Sequence, residues 1–327
     1  MTRLADELRV ACAAVREAAR LTRAVQARLE PGSRVQKDDK SPVTVADYGA
    51  QALVCARLQE AFPADPVLGE EDATSLRAGG ELLPRVLDEV RALRPGAGRD
   101  EVLGWIDRGA HRTAAPRAWT LDPIDGTKGF LRGEQYAVGL ALIEAGQVVL
   151  AVMACPNLVD PASGAAGALV TAVRGEGAWQ VALDAPEQAP LAPIRVSRQA
   201  DPTRLRVVMS VDPGHSDQER TLRIAARLGM TTPARRLDSL AKYALVARGE
   251  AEVYFRIPRT RGRFENVWDH AAGVLLVEAA GGTVTDLDGR PLDFGLGATL
   301  SQNRGILTSH GPLHRELLAA LQATEGA

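Results

Sequence analysis

The chain has 327 residues, 46% of them hydrophobic and 24% charged, which is typical of a globular protein long enough for one large domain or two. Its formal net charge of −2 excludes the general basic field with which proteins attract nucleic acid or an anionic membrane. We therefore expect neither of them as a partner.

The first residues and the cysteines predict where the protein works. Asp6 and Glu7 stand where a secretory signal would have its basic and apolar regions, and no apolar run is long enough to span a bilayer. Cys12, Cys55 and Cys155 are widely spaced, odd in number and set among apolar neighbours. This pattern favours reduced core residues over disulfides or a zinc site, and we expect a cytoplasmic protein.

Hydrophobic periodicity predicts two amino-terminal helices. Apolar residues three and four apart form one face over residues 4–29, and Pro31 ends that helix. A second helix is predicted over residues 45–61. Thr44 is placed to cap this helix, with Asp47 as the acidic partner of a capping box. A cap is thus the local interpretation of Asp47.

A short strand is predicted at residues 67–69, and three acids follow it at 70–72. Such a cluster is either a solvated turn or a cation site. Residues 74–115 are prone to helix and rich in loops, with one helix predicted at 82–93. Their Gly-rich and Arg-rich stretches predict a mobile surface excursion.

Residues 118–121 predict a short buried strand, which Pro123 cannot continue. The strand therefore ends where Asp122 and Asp125 lie three apart, and Pro123 leaves the Ile124 carbonyl free to face whatever the carboxylates hold. Carboxylates and a carbonyl are hard oxygen ligands of the kind that suits Mg²⁺. Asp-Pro and Asp-Gly are also common turn dipeptides, so a plain turn is the alternative.

The residues that follow this pair of acids are suited to an anion. Gly126 permits a tight turn, and Thr127 and Lys128 begin a predicted helical turn with unpaired backbone N–H groups. Such N–H groups bind phosphate. Adjacent cation and phosphate sites are the components of metal-assisted phosphoryl chemistry.

The remaining chain alternates between strands and helices. Strands are predicted at residues 136–144, 147–154, 167–173, 178–183, 205–211, 235–237, 252–257, 283–286 and 305–308, and helices at 216–228, 239–248, 267–280 and 312–322. The alternation indicates a layered α/β arrangement. We place the connection between two sub-domains, 1–190 and 191–327, in the stretch rich in Ala and Pro at 184–193.

A further acid marks the start of a helix in the carboxy-terminal part. Asp269 follows Trp268 at or near the beginning of the predicted helix 267–280, and Gly281 and Gly282 end that helix. Aspartate is a good N-cap residue, which is the local interpretation.

Residues 119–130 resemble, nearly residue for residue, the metal-binding signature of the lithium-sensitive, Mg²⁺-dependent phosphatases, a superfamily that includes inositol monophosphatase and fructose-1,6-bisphosphatase. Residues 268–273 resemble the second signature of that superfamily. The longer stretch 125–133 is similar to one branch, the 3′(2′),5′-bisphosphate nucleotidases. The resemblance extends over essentially the whole chain. It implies an α/β fold, the α/β/α/β/α sandwich of the superfamily, with the site between the two sub-domains.

The resemblance also implies roles for individual residues. The implied ligands of two or three Mg²⁺ ions are Glu70, Asp122, the Ile124 carbonyl, Asp125 and Asp269. Asp47 and Thr127 are implied to orient and deprotonate the attacking water, and a carboxylate hydrogen-bonded to a hydroxyl is physically suited to that task. Gly126 and Thr127 are implied to hold the phosphate.

Segments 237–243 and 253–256 resemble the nucleotidase segments that hold an adenosine bisphosphate. The implied substrate contacts are Ser239, Lys242, Arg256 and, beside them, His215. Lys242 and Arg256 are suited to a second phosphate. By local sequence alone, Lys242 is a solvated helix lysine and Arg256 a charge at a strand edge.

His310 and His314 have a spacing that can bind a metal on a helix. Pro312 lies between them and indicates a helix start instead. We expect both histidines at the surface.

The resemblance implies a phosphatase that removes the 3′-phosphate of adenosine 3′,5′-bisphosphate to give AMP and phosphate, with Mg²⁺ as cofactor and inhibition by Li⁺. Activity on the sulfated analogue stays open. An inositol-phosphate or other sugar-phosphate monoesterase is the nearest alternative, and a non-catalytic nucleotide sensor is the second. The presence of both Asp47 and Thr127 argues against a sensor, which needs no water-activating pair. We expect a monomer, with a dimer as the alternative.

Overall fold

The structure is a computed structural model that describes residues 3–29, 41–159, 164–214, 216–260, 262 and 264–324. Within these residues the chain forms ten α-helices and two β-sheets. The helices are α1 (Ala5–Gln26), α2 (Ser41–Ala61), α3 (Thr74–Arg77), α4 (Leu82–Leu93), α5 (Arg99–Asp107), α6 (Thr127–Leu131), α7 (Gln218–Arg227), α8 (Ala241–Ala247), α9 (Ala271–Ala279) and α10 (His314–Gln322).

The first sheet has seven strands, and they pair in the order of the chain. These are β1 (Val67–Gly69), β2 (Arg117–Asp125), β3 (Ala137–Glu144), β4 (Gln147–Val159), β5 (Ala166–Val173), β6 (Gly177–Ala182) and β7 (Ala192–Pro193). β1 and β2 are parallel, and every later pair is antiparallel. Two neighbouring parallel strands end at the same edge of a sheet, so the residues after β1 lie beside the end of β2.

The second sheet has five strands in the order β11–β12–β10–β8–β9. Its strands are β8 (Val207–Met209), β9 (Arg235–Arg236), β10 (Val253–Arg256), β11 (Thr283–Thr285) and β12 (Ile306–Ser309). β10 is the central strand, parallel to β8 and antiparallel to β12.

The helices and sheets stack in five layers. One face of the first sheet buries Leu140 and Leu150 against α1 and α2. Its other face packs on α8 and α9, and the same cluster includes Tyr254 and Ile306 of the second sheet. The far face of the second sheet packs on α7 and α10 through Ile224 and Leu317. The predicted α/β/α/β/α sandwich is confirmed, and burial of apolar area on both faces of each sheet is its main source of stability.

Two local predictions for the amino-terminal part are wrong. α2 begins at Ser41, so Thr44 lies inside the helix and cannot be its cap. Residues 74–115 are not a surface excursion, because side chains of α4 and α5 such as Val86 and Ile106 are buried against Leu53 of α2. The apolar face of α4, with its helical spacing, was the signal for this packing.

The histidines at the β12–α10 turn are buried, so the prediction of surface positions is wrong. His314 lies between two hydroxyls, with Nδ1 2.8 Å from Ser309 Oγ and Nε2 3.0 Å from Thr285 Oγ1. Burial lowers the pKa of His314 to about 4, which keeps the ring neutral. His310 Nε2 is 2.8 Å from the Gln199 carbonyl oxygen.

The cysteines are free, as predicted. Cys55 and Cys155 are buried and Cys12 is half-buried, and burial raises the pKa of each thiol to about 12. Among the described residues, none of the helices combines the length and apolarity needed to cross a membrane. The sub-domain boundary at residue 190 stays a prediction; β7, which lies just after it, still pairs with β6 of the first sheet.

Candidate functional site

The end of β2 brings two acids to one place. The strand runs through Pro123 to Asp125, so it does not stop before the proline as predicted, but its pairing with β3 shifts between Asp122 and Asp125. This irregularity leaves Pro123, which has no N–H, out of the ladder. Asp122 Oδ1 accepts a hydrogen bond of 3.1 Å from Ile124 N. Glu70 follows β1, whose last residue, Gly69, is opposite Leu121.

The turn after β2 needs a glycine and touches the carboxy-terminal part. Gly126 has φ of 89°, a left-handed conformation, and a Cβ added there would lie 2.8 Å from Ser239 Cβ. Ser239 is itself left-handed, with φ of 76°. Asp125 Oδ2 accepts a hydrogen bond from Leu240 N. Segment 239–240 is thus held directly against the metal-binding signature.

Three acids converge on a common point. Asp122, Asp125 and Asp269 each offer a carboxylate oxygen, and these oxygens lie within 4.8 Å of one another. Asp269 comes from the turn before α9, whose N-cap is His270, so the local interpretation of Asp269 as the cap of this helix is wrong. One acidic cluster is therefore built from three places in the chain: Glu70 after β1, Asp122 and Asp125 at the end of β2, and Asp269 before α9.

The acids of this cluster disfavour one another's charge. Burial, with Glu70 and Asp125 adding repulsion, raises the pKa of Asp122 well above its usual range. Restricted hydration in the cleft, reinforced by Asp269 and Glu71, raises the pKa of Glu70 to about 8, although this residue lies exposed at the mouth of the site. Repulsion among converging carboxylates is relieved by a divalent cation, and oxygen donors are those that Mg²⁺ prefers. The donor set fits the cofactor that the sequence predicts.

Asp47 and Thr127, the predicted water-activating pair, come from different helices, α2 and α6. Asp47 is buried on α2, and burial followed by repulsion from Glu70 and Glu71 raises its pKa. Thr127 is exposed at the start of α6, and its hydroxyl donates to the Ile124 carbonyl oxygen at 3.4 Å. The structure therefore shows the threonine bound to a predicted metal ligand, and its pairing with Asp47 stays a prediction.

A cavity of about 340 Å³ is lined by the predicted site residues other than Asp47 and His215. Its lining includes Glu70, Asp122, Ile124, Asp125, Gly126, Thr127, Lys128, Ser210, Asp238, Ser239, Leu240, Lys242, Tyr243, Tyr254, Arg256, Asn266, Asp269 and His270. Besides its acids, the lining contains the cations Lys128, Lys242 and Arg256. His215, also predicted to contact substrate, lies outside the described residues.

Lys242 is not the solvated helix lysine of the local interpretation. It is buried, its Nζ donates to the Ser239 carbonyl oxygen at 2.7 Å, and it lies 5.3 Å from the centre of the Tyr254 ring. Burial lowers the pKa of Lys242 to about 8, against the opposing influence of Asp125. Nζ can donate three hydrogen bonds, so it can also bind an anion in the cavity.

Arg256 is likewise not a charge at a sheet edge, because it ends the central strand β10. Its side chain is 12% exposed. Nη2 and Nε lie 2.9 Å and 3.1 Å from one oxygen of Glu265. His270 Nε2 is 3.3 Å from the same oxygen, and His270 Nδ1 is 2.8 Å from the Tyr243 hydroxyl.

Sequence reasoning missed Glu265, His270 and Tyr243. His270 and Tyr243 are adjacent in sequence to the predicted Asp269 and Lys242, and this adjacency was the available signal. Glu265 has a weaker signal, since it lies four positions before Asp269 in the sequence.

The family model described as the inositol monophosphatase family matches residues 5–325. The chain belongs to the inositol monophosphatase family. A 3′(2′),5′-bisphosphate nucleotidase of Schizosaccharomyces pombe (strain 972 / ATCC 24843) is 41% identical over 338 residues, which cover 97% of this chain and 95% of that protein. A protein of the same name from Oryza sativa is 40% identical over 340 residues, covering 97% and 94%.

A solved inositol monophosphatase from Zymomonas mobilis has the same fold as this family member, with a TM-score of 0.66 and 21% identity, over 98% of this chain and 100% of that one. This likeness concerns the fold alone. The relatives at about 40% identity confirm the predicted resemblance to the bisphosphate nucleotidases.

Proposed function

We propose that this protein is a Mg²⁺-dependent phosphatase that hydrolyses the 3′-phosphate of adenosine 3′,5′-bisphosphate to AMP and phosphate. The observation that carries the proposal is a single cavity lined both by a carboxylate cluster and by the cations Lys242, which is buried, and Arg256, which is half-buried. A substrate with two phosphates can contact both sets of residues at once. The names of the relatives from Schizosaccharomyces pombe and Oryza sativa support the same substrate class.

Five residues would hold the metal ions, and their donors are hard oxygens. They are Glu70, Asp122, the Ile124 carbonyl, Asp125 and Asp269. When bound, Mg²⁺ supplies positive charge that neutralises the phosphate and lowers the pKa of a water molecule in the site. We propose two or three ions, as the resemblance implies.

The proton of the attacking water would go to a group of this chain. We assign that role to the Asp47 carboxylate, which is close enough to Glu70 and Glu71 to be repelled by them and which α2 holds in place. The Thr127 hydroxyl orients the water after turning away from the Ile124 carbonyl. Gly126 and Thr127 supply backbone N–H groups at the turn, where the departing phosphate is held.

The second phosphate, on the 5′ oxygen, would lie against Lys242 and Arg256. Both donate charge-assisted hydrogen bonds, which are about twice as strong as neutral ones. Ser239, whose left-handed backbone places it over Gly126, contacts the nucleotide between the two phosphates. His215 belongs to the same proposal by resemblance.

The test is phosphate release by the purified protein from adenosine 3′,5′-bisphosphate, its sulfated analogue and inositol 1-phosphate, each with Mg²⁺ and with EDTA. We expect Mg²⁺-dependent release, fastest from the bisphosphate. A preference for inositol 1-phosphate would favour a sugar-phosphate monoesterase, and binding of the bisphosphate without release would favour a sensor. The cytoplasmic location and the monomeric state belong to the proposal as expectations from the sequence.

A further inference from the structure

Arg256 is held by a carboxylate that stands behind it. Glu265 uses one oxygen, Oε2, to accept from both Nη2 and Nε of Arg256, at 2.9 Å and 3.1 Å. The Glu265 side chain is 7% exposed. Among the described residues, Arg256 belongs to the cavity lining and Glu265 does not. Glu265 therefore acts on the cavity through the direction that it gives to the guanidinium.

A chain of buried groups fixes Glu265 in turn. His270 Nε2 lies 3.3 Å from Glu265 Oε2, and the Tyr243 hydroxyl lies 2.8 Å from His270 Nδ1. A carboxylate only accepts, so Nε2 carries a proton toward Glu265, and Nδ1 and the tyrosine hydroxyl share the second hydrogen bond. Bonds from His270 and Arg256 outweigh burial and lower the pKa of Glu265 well below its usual range.

Tyr243, at the far end of this series of hydrogen-bonded groups, is closely packed. Tyr243 packs edge-on against Tyr254, with ring centres 5.2 Å apart. A Cβ added to Gly273 of α9 would lie 2.3 Å from the Tyr243 ring, so α9 sits directly on it. Tyr243 follows Lys242 on α8, so the hydrogen-bonded series Tyr243–His270–Glu265–Arg256 connects the position of Lys242 to that of Arg256.

We infer that Glu265 is a positioning residue that aims Arg256 into the cavity and so sets the preference for a substrate with a second phosphate. This inference rests on the proposed function. An arginine side chain has many rotamers, and its planar fork binds a phosphate well only when it is oriented beforehand. Neutralising Glu265 leaves the guanidinium charged but free to choose other partners.

The test compares Glu265→Gln with wild type on the bisphosphate and on 4-nitrophenyl phosphate, a monoester with no second phosphate. We expect KM for the bisphosphate to rise by about 10-fold, with kcat within about 3-fold, because uniform binding is lost. Turnover of the monoester should change much less. The matched control is Glu278→Gln, which breaks the exposed pair of Glu278 with Arg174 and should change neither substrate.

A double-mutant cycle shows whether Glu265 acts through Arg256. In an Arg256→Ala background, Glu265→Gln should add no further loss on the bisphosphate. A full further loss, or an equal fall in kcat on both substrates, would mean that Glu265 acts on neighbouring Asp269, and it would overturn the inference. Tyr243→Phe removes one hydroxyl at the far end and should shift KM in the same direction by a smaller factor. It provides the test should Glu265→Gln fail to fold.

AMP binding separates this inference from the proposed function. AMP keeps the 5′-phosphate, and its Kd is measured by calorimetry without any turnover. A weaker Kd in Glu265→Gln than in wild type supports the positioning role even if the bisphosphate is not hydrolysed. Equal Kd values, or no AMP binding by wild type, would contradict it.

Discussion

Thr127 shows how much the role of one residue depends on where its hydroxyl points. In the structure the hydroxyl donates to the Ile124 carbonyl oxygen, next to the acids that would hold the metal. If it orients the attacking water, Thr127→Ala should lower kcat by about 10²–10⁴, the span typical of proton-transfer roles. KM should change little, because the metal ligands and backbone N–H groups remain. Steady-state kinetics decide, and a raised KM with unchanged kcat would make Thr127 a binding residue only.

Lys242 gives a prediction with a pH signature. If it binds the 5′-phosphate, Lys242→Ala should lower kcat/KM for the bisphosphate about 10–100-fold, as expected for a hydrogen bond to a charged group. A small monophosphate should be almost unaffected. Burial lowers the pKa of Lys242 to about 8, so the side chain is protonated below that pH and neutral above it.

The wild-type kcat/KM, which reports the free enzyme, should therefore fall above about pH 8 for the bisphosphate. Lys242→Ala should lose this alkaline limb, because the titrating cation is gone. A limb of the same shape in the variant, or equal losses on both substrates, would assign the pH dependence and the binding to another group.

The site residues that the sequence predicted share one property. Asp122, Asp125 and Asp269 each belong to a short contiguous motif, so they can be identified from the residues next to them in the sequence. Glu265 was missed because its role comes from a contact with Arg256, and nothing in the local sequence specifies that contact. The direction of the Thr127 hydroxyl is likewise a property of the fold.

At the scale of elements, alanine substitutions at two helical glycines should change the stability of the protein in opposite directions. Gly273 of α9 allows Tyr243 to approach, since an added Cβ would lie 2.3 Å from the ring. Gly273→Ala should therefore destabilise the protein by about 1–3 kcal/mol, the usual cost of overpacking. Gly104 of α5 is exposed, and an added Cβ there would reach none of the described atoms within 4 Å. Gly104→Ala should stabilise by about 0.5–1 kcal/mol through helix propensity.

Thermal melts of the two alanine variants check this pair, each against wild type. Stabilisation by Gly273→Ala would mean that the α8–α9 contact is not as close as the structure shows, and destabilisation by Gly104→Ala would contradict the argument from helix propensity. Because Tyr243 also bonds to His270, Gly273→Ala should in addition weaken binding of the bisphosphate, while Gly104→Ala should leave it unchanged.

The elements themselves were largely predictable, and the misses have identifiable causes. The hairpin of β3 and β4 and the helix α4 follow from strong apolar periodicity. β2 runs past Pro123 because a shift in pairing accommodates the proline, and this depends on the neighbouring strand β3. The burial of α4 and α5 against α2 is a tertiary contact. The Gly-rich and Arg-rich composition of residues 74–115 indicated a surface segment instead.

At the scale of the whole molecule, the acidic cluster joins distant parts of the chain. Asp122 and Asp125 end a strand of the first sheet, and Asp269 precedes the helix that lies between the two sheets. The layered fold was predictable through the alternation of strands and helices. The convergence of these acids followed only from the family resemblance, because no local pattern brings residue 269 to residue 122.

This convergence predicts that a bound cation stabilises the entire fold. A ligand that binds only the native state at 100 times its Kd adds about 2.7 kcal/mol to the free energy of unfolding. We therefore expect Mg²⁺ to raise the melting temperature by several degrees over protein in EDTA, with Na⁺ at matched ionic strength as the salt control. Burial raises the pKa of Asp269, so its charge is unfavourable when no cation is bound.

Asp269→Asn should consequently be no less stable than wild type in EDTA, and it should lose most of the shift caused by Mg²⁺. Asp288→Asn, which removes an exposed acid paired with Arg304, should retain the full shift. An equal Mg²⁺ shift in Asp269→Asn and wild type would place the cation elsewhere. A large loss of stability in EDTA would show instead that Asp269 supports the fold without a metal, contrary to the repulsion that the cluster implies.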